Sequence, residues 1–181
     1  RDWSSIQFGL DTAIADLNNG GKRIIYPTPF TEGQTDVEIN GLIWMGSKDS
    51  MRQQIIKKLE AGFHCIKLKI GAIDFDAELD LLRMIRSQFS KELIELRVDA
   101  NGAFSPEDAP RKLEQLAQYD IHSIEQPIRQ GQWEEMSRLC RNTPIPIALD
   151  EELIGIEGLN KDKLLDTIRP QYVVIKPSLL G

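Results

Sequence analysis

The sequence predicts an α/β fold with a parallel sheet, and three observations carry that expectation. Apolar runs of strand length fall at 41–46, 64–70, 94–100, 121–126, 145–150 and 172–176. Amphipathic stretches of helix length separate them, so six strands alternate with five helices, the pattern of repeated βα units. Open doubly wound sheets and closed (β/α) barrels share this alternation, but the open nucleotide binders usually carry G-x-G-x-x-G or a P-loop after the first strand, and neither motif occurs. The third observation is a charged residue near the C-terminal end of five consecutive strands, the end at which parallel barrels assemble their active sites. Together these favour the parallel (β/α) barrel.

Before the first strand, Ile6, Leu10, Ile14 and Leu17 form one apolar stripe on a helix over 5–17, which Asn18-Asn19-Gly20-Gly21 ends. Arg23-Ile24-Ile25-Tyr26 then leads into a connection containing Pro27 and Pro29, and a boundary is placed near residue 39. The expected division is 1–38 and 39–181. In the first barrel helix Met51, Ile55 and Leu59 recur every four residues and Gly62 follows as the residue beyond the helix end. Phe75, Leu79, Leu82, Ile85 and Phe89 line the next. Ser105-Pro106-Glu107-Asp108 reads as an N-cap with proline at the first helical position, although Pro110 would then fall inside the helix.

Composition excludes several classes of function. The 181 residues carry 22 Lys+Arg against 28 Asp+Glu, a net charge of −6, with no basic stripe for nucleic acid. No apolar run approaches the ~20 residues of a membrane span, and the first residues show no secretory signal. Two cysteines cannot build a disulfide framework, which suits a reducing, cytoplasmic setting. Two histidines leave little for a zinc site. A small-molecule partner is expected, and the composition is compatible with a homo-oligomer.

Side chains alternate across a strand. Ile66, Leu68 and Ile70 therefore oppose Lys67 and Lys69; Leu96, Val98 and Ala100 oppose Arg97, Asp99 and Asn101; Ile124 opposes Ser123 and Glu125. The fifth strand sets Ile147 and Leu149 against Ala148 and Asp150, and the sixth sets Val173 and Ile175 against Val174 and Lys176. Taken singly each has a plain explanation: a wet sheet face for Lys67 and Lys69, a turn for Asp99 and Asn101, a strand exit for Glu125, a solvated acidic helix start for Asp150 and Glu151. Taken together they must also explain a spacing of 30, 26, 25 and 26 residues from Lys69 through Asp99, Glu125 and Asp150 to Lys176, close to one βα unit of about 30. In a barrel these five converge at one mouth.

Three carboxylates without histidine or thiolate make a hard oxygen site, suited to Mg²⁺. A lysine beside them serves as a base only when neutral, and the neighbouring Lys67 ammonium together with a divalent cation favours that form of Lys69. The parts suit removal of a proton next to a carboxylate, with the cation stabilising the resulting enolate.

The motifs K-x-K, D-x-N, E-Q-P, D-E and K-P, one per successive strand, resemble the enolase superfamily, in the subgroup named for muconate lactonising enzyme. The resemblance covers essentially the whole chain. It implies a TIM-type barrel, incomplete here at six strands, with 1–38 as the end of an α+β capping domain and its linker. Further capping-domain chain would precede residue 1, and further barrel strands would follow Gly181. It implies Mg²⁺ on Asp99, Glu125 and Asp150, Lys69 as the base and then the acid of a syn dehydration, and Lys176 stabilising the enediolate across the substrate. Lys67 would tune Lys69 and contact the substrate carboxylate, with Arg97, Asn101 and Glu151 as supporting or substrate-binding residues.

Two other readings remain open. Two lysines flanking an enolate also suit an N-acylamino acid racemase or dipeptide epimerase, and an acidic cluster could belong to a catalytically silent scaffold holding a structural cation. Cys65, His64, His122 and Cys140 read as packing or solvated residues, and Trp44 as filling the barrel bottom or the mouth of the first strand.

Overall fold

The computed structural model describes residues 3–156 and 159–180. The chain runs α1 (Ser4–Asn18), β1 (Gly41–Ile43), α2 (Lys48–Glu60), β2 (Cys65–Lys69), α3 (Phe75–Arg86), β3 (Glu95–Asp99), α4 (Ala109–Ala117), β4 (Ile121–Glu125), α5 (Trp133–Asn142) and β5 (Ile147–Leu149). A 3₁₀ turn (Glu151–Leu153), α6 (Leu159–Ile168), β6 (Tyr172–Val173) and α7 (Pro177–Leu180) complete it. The described residues group into two units: 39–153 with 159–174, and 3–38 with Ile154–Ile156 and 175–180.

In the larger unit every strand pairs in parallel with its neighbour in sequence, in the order β1-β2-β3-β4-β5-β6. This is the repeating βα unit of a TIM-type barrel. Ile66, Leu68, Leu96, Val98, Ile124, Ile147 and Leu149 are at most 1% exposed, on the sheet face covered by the helices. Met51 and Ile55 of α2, Leu81, Leu82 and Ile85 of α3, Leu113 and Leu116 of α4, Met136 of α5, and Leu164 and Ile168 of α6 are buried with them. Each such side chain contributes about 2 kcal/mol, and a slip of one residue in β2 would replace Ile66 and Leu68 with Lys67 and Lys69. Burial thus fixes which face presents the charged residues. Among the described residues no helix is long and apolar enough to cross a membrane.

Three expected elements are shorter or start later than the pattern suggests. β1 stops at Ile43 because the Gln54 side chain takes both backbone groups of Trp44, its Oε1 accepting from the N–H at 2.8 Å and its Nε2 donating to the carbonyl at 3.1 Å. β6 ends at Val173; Val174 N–H still reaches Leu149 O at 2.8 Å, but β5 itself ends there, so Ile175 and Lys176 lie outside the strand. α4 begins at Ala109 rather than behind Pro106, and Pro110 occupies the first turn, where its missing N–H has no helical acceptor to lose. Ser105 instead closes a turn, Oγ accepting from Asp108 N–H at 3.1 Å.

In the smaller unit α1 lies against α7. Ile6, Leu10, Ile14 and Leu17, the stripe legible in the sequence, are all more than half exposed.

Candidate active site

The C-terminal ends of β2, β3 and β4 place Lys67, Lys69, Asp99 and Glu125 on the face away from the helices, by strand alternation and register: Lys67 pairs with Arg97, Lys69 with Asp99, Asp99 with Glu125. Asp99 Oδ2 receives Lys69 Nζ at 2.6 Å and Lys67 Nζ at 3.1 Å. Glu125 Oε2 receives Lys67 Nζ at 2.5 Å. Asn101 extends the network: its Oδ1 accepts from Lys69 Nζ at 2.8 Å, and its Nδ2 donates to Glu151 Oε1 at 2.8 Å. Trp44 stands at the mouth beside β1, with Lys69 Nζ 5.8 Å from its ring centroid.

Burial sets the electrostatics. Asp99 is fully buried and Glu125 is 7% exposed, and the two carboxyls are in hydrogen-bond contact. Burial pushes Glu125 up to about 7, and the neighbouring Asp99 charge adds to the rise in spite of the Lys67 contact. Asp99 is lowered: burial works against its ionisation, but the lysines and the Glu125 hydrogen bond outweigh it. Burial pulls Lys67 down, and its bond to Glu125 with the charges of Asp99 and Glu125 more than restores it, so it is held above the ordinary lysine value.

Lys67, Lys69, Asp99, Asn101, Glu125 and Glu151 therefore form one network. Asp150, just past β5, is 2% exposed, its backbone N–H donating to Gln126 Oε1 at 3.3 Å. Among the described residues no three Asp, Glu, His or Cys side chains are grouped as closely as the ligands of one ion, so the tight cluster is a carboxylate pair bridged by the Lys67 ammonium, with the Lys69 ammonium on Asp99. Arg97 points into the same cleft one step toward the strand start and donates to Glu95 Oε1 at 2.6 Å, apart from the lysine network. Lys176 precedes α7 in the smaller unit. The cleft, of about 420 Å³, is lined by Lys67, Arg97, Glu125 and, nearer the strand starts, Asn40, His122 and Tyr172.

The donor set fits a hard divalent cation. Two buried carboxylates in contact repel when both are ionised, a penalty that a hard divalent cation would relieve, and among the described residues no thiolate or imidazole is grouped with them.

Three groups were not legible as functional in the sequence. Glu78, 1% exposed on α3, accepts Gly71 N–H at 2.7 Å and Ala72 N–H at 3.3 Å, tethering the loop that follows Lys69; burial raises its carboxyl. Gly71 has φ +89°, and a Cβ there would meet Ala103 Cβ at 2.3 Å, so the loops after β2 and β3 touch through a glycine. Gln126 and Glu152 form a buried hydrogen-bonded pair behind the site, at 3.0 Å. The helical spacing of Glu78 behind Asp74 was the one available hint; Gln126 and Glu152 are hidden in an exit motif and an acidic run. Cys65 and Cys140 are buried thiols, Cys65 Sγ donating to Asn40 Oδ1 at 3.1 Å and Cys140 pushed up to about 11 by burial, and His122 stacks on Tyr172 with centroids 5.1 Å apart.

Comparison with known proteins shows what the chain and its fold are similar to. The chain is 54% identical over 177 residues to the o-succinylbenzoate synthase of Desulfotalea psychrophila (strain LSv54 / DSM 12343), covering 98% of this chain and 48% of that protein. The crystal structure of MenC from Desulfotalea psychrophila LSv54 superposes with a TM-score of 0.81 at 54% identity, covering 92% of this chain and 46% of that one. The o-succinylbenzoate synthase from Thermosynechococcus elongatus BP-1, complexed with Mg in its active site, gives a TM-score of 0.77 at 25% identity, covering 98% and 52%. The chain thus spans about half the length of these relatives. The family model for the enolase C-terminal domain-like fold matches residues 50–171, from α2 through the strand ends that carry the lysines and carboxylates to the threshold of β6, and the chain belongs to that family.

Proposed function

We propose that this chain carries the larger part of the active site of an o-succinylbenzoate synthase, a Mg²⁺-dependent hydro-lyase of menaquinone biosynthesis. It would convert 2-succinyl-6-hydroxy-2,4-cyclohexadiene-1-carboxylate to 2-succinylbenzoate and water. The observation that carries this reading is the 54% identity to a synthase of that name along 98% of the chain. The lysine and carboxylate geometry supports the chemistry.

Asp99, Glu125 and Asp150 would hold Mg²⁺, which when bound neutralises the substrate carboxylate and so acidifies the neighbouring C–H. Lys69 Nζ takes that proton. The electron pair left on carbon enters the ring as the C–OH bond breaks, and Lys69, now an ammonium on the same face, delivers the proton to the departing hydroxyl, which leaves as water. Lys176 supplies positive charge to the enediolate. Lys67 sits on the same strand as Lys69, two residues earlier, and contributes a fixed positive charge for the substrate carboxylate. Asn101, bonded to both Lys69 and Glu151, limits the directions in which the Lys69 amine can point. Arg97, which lines the cleft together with Lys67, would face the rest of the substrate.

The test is direct. The complete protein is incubated with the cyclohexadiene carboxylate and Mg²⁺, and the aromatic product is followed by its ultraviolet absorbance. Product formation that stops with EDTA is expected; absence of product, with exchange of the α-proton of an N-acylamino acid or dipeptide instead, assigns the site to racemisation.

A further inference from the structure

Gln126 is fully buried and directly follows Glu125, with its backbone in the left-handed region at φ 42°. A non-glycine residue holds that conformation only where its surroundings over-determine it. Here they do. Oε1 accepts from Asp150 N–H and from Glu152 N–H, both at 3.3 Å. Nε2 donates to Ile128 O and to Glu152 Oε2, both at 3.0 Å. The main chain adds two more bonds: N–H to Ala148 O at 2.9 Å, and the carbonyl accepting from Gly102 N–H at 2.7 Å. Glu152, itself 2% exposed, fastens the far side by accepting from Gly131 N–H at 2.7 Å.

One residue is thus bonded to the chain just beyond β3, just beyond β5 and in the loop after β4. Asp99, Glu125 and Asp150 stand on those three strand ends. We infer that Gln126, with Glu152 as its partner, is the positioning residue that sets the spacing of the three carboxylates for a divalent cation. The inference rests on the proposed cation site. An amide is required because one end must accept from two N–H groups while the other donates to a carboxylate; neither a carboxylate nor an apolar side chain at 126 does both.

The experiment measures Mn²⁺ affinity of the complete protein by electron paramagnetic resonance, beside thermal unfolding without metal. Gln126→Met keeps the size of the side chain and removes its strong hydrogen bonds. The double exchange Gln126→Glu with Glu152→Gln keeps the net charge and the acceptors that face the two N–H groups. Removing a residue that orients metal ligands costs about 10–100-fold in metal affinity, so Gln126→Met is expected to bind Mn²⁺ at least about tenfold more weakly while still folded, and the exchange to recover part of the loss. Should Gln126→Met fail to fold, Gln126→Asn, which withdraws the same amide by one methylene, is read in its place with the same expectation. A folded variant with lower thermal stability and unchanged Mn²⁺ affinity overturns the inference, because Gln126 then only supports the fold. Absence of Mn²⁺ binding in the wild type, or binding indifferent to Asp99→Asn and Glu125→Gln, overturns the cation site and this inference with it.

Discussion

Replacing Glu125 by Gln in the metal-free protein gives a quantitative test of the buried charge cluster. Glu125 is 7% exposed, and burial together with the Asp99 carboxylate lifts its carboxyl from an ordinary 4.5 to about 7. A carboxyl raised in the folded state binds a proton that the unfolded chain has already released, so stability falls as pH rises from about 4.5 to about 7 and stays low above. At 1.36 kcal/mol per pH unit the loss is about 3 kcal/mol. Glutamine has the same shape, accepts from Lys67 and does not titrate. Urea unfolding in EDTA at pH 5 and pH 8.5 should therefore show the variant's advantage over wild type growing by about 2.5 kcal/mol between the two, the remainder having been lost below pH 5. Comparing the two proteins cancels Glu78, whose burial-raised carboxyl tilts both pH profiles the same way. An advantage that is the same at both pH values, or that shrinks at the higher one, refutes the argument that Glu125 is an electrostatic burden without a cation.

Three further substitutions test the frame around the site. Gly71→Ala brings a Cβ to 2.3 Å from Ala103 Cβ at a residue with φ +89°, and should cost about 1–3 kcal/mol or more in urea unfolding; a neutral result means the loops after β2 and β3 are not in that contact. Leu82→Ala, in a fully buried position on α3, should cost about 2–5 kcal/mol, and a cost under about 1 kcal/mol contradicts the helix register. Asp150→Asn should abolish Mg²⁺-dependent turnover while the metal-free thermal midpoint holds or rises, since one buried carboxylate is removed; unfolding would assign Asp150 a structural role.

The parts of the fold set by side-chain period were open to reading. Lys67 and Lys69 alternate with Ile66, Leu68 and Ile70, and that alternation alone assigns faces, because burying the wrong face costs several kilocalories per strand. The ~26-residue spacing of Asp99, Glu125 and Asp150 followed from the same unit length. Strand ends were less legible: Gln54 captures Trp44 from ten residues away, and no local pattern announces that bond. The helix start near Pro110 was misplaced because Ser105 and Asp108 both suit an N-cap, and only the backbone shows which one leads into the helix. Gln126 and Glu152 escaped for a different reason. Their role lies in four hydrogen bonds that join residues 24 and 26 positions apart or lie behind the charged face, whereas pattern reading attends to the charges themselves. Ile6, Leu10, Ile14 and Leu17 make the opposite case, a clear stripe that stays exposed among the described residues.

We propose that Lys69 moves the proton while Lys176 supplies only charge. Product formation and solvent deuterium uptake in Lys69→Arg and Lys176→Arg of the complete protein, with Mg²⁺ and the cyclohexadiene carboxylate, separate the two roles. A guanidinium stays protonated, so Lys69→Arg should make no product and exchange no α-proton, whereas Lys176→Arg should keep a measurable part of both. Full activity in Lys69→Arg rules out Lys69 as the base. Equal loss of dehydration in the two variants, with exchange of opposite hands of an N-acylamino acid or dipeptide surviving in each, replaces the dehydratase with a two-base racemase.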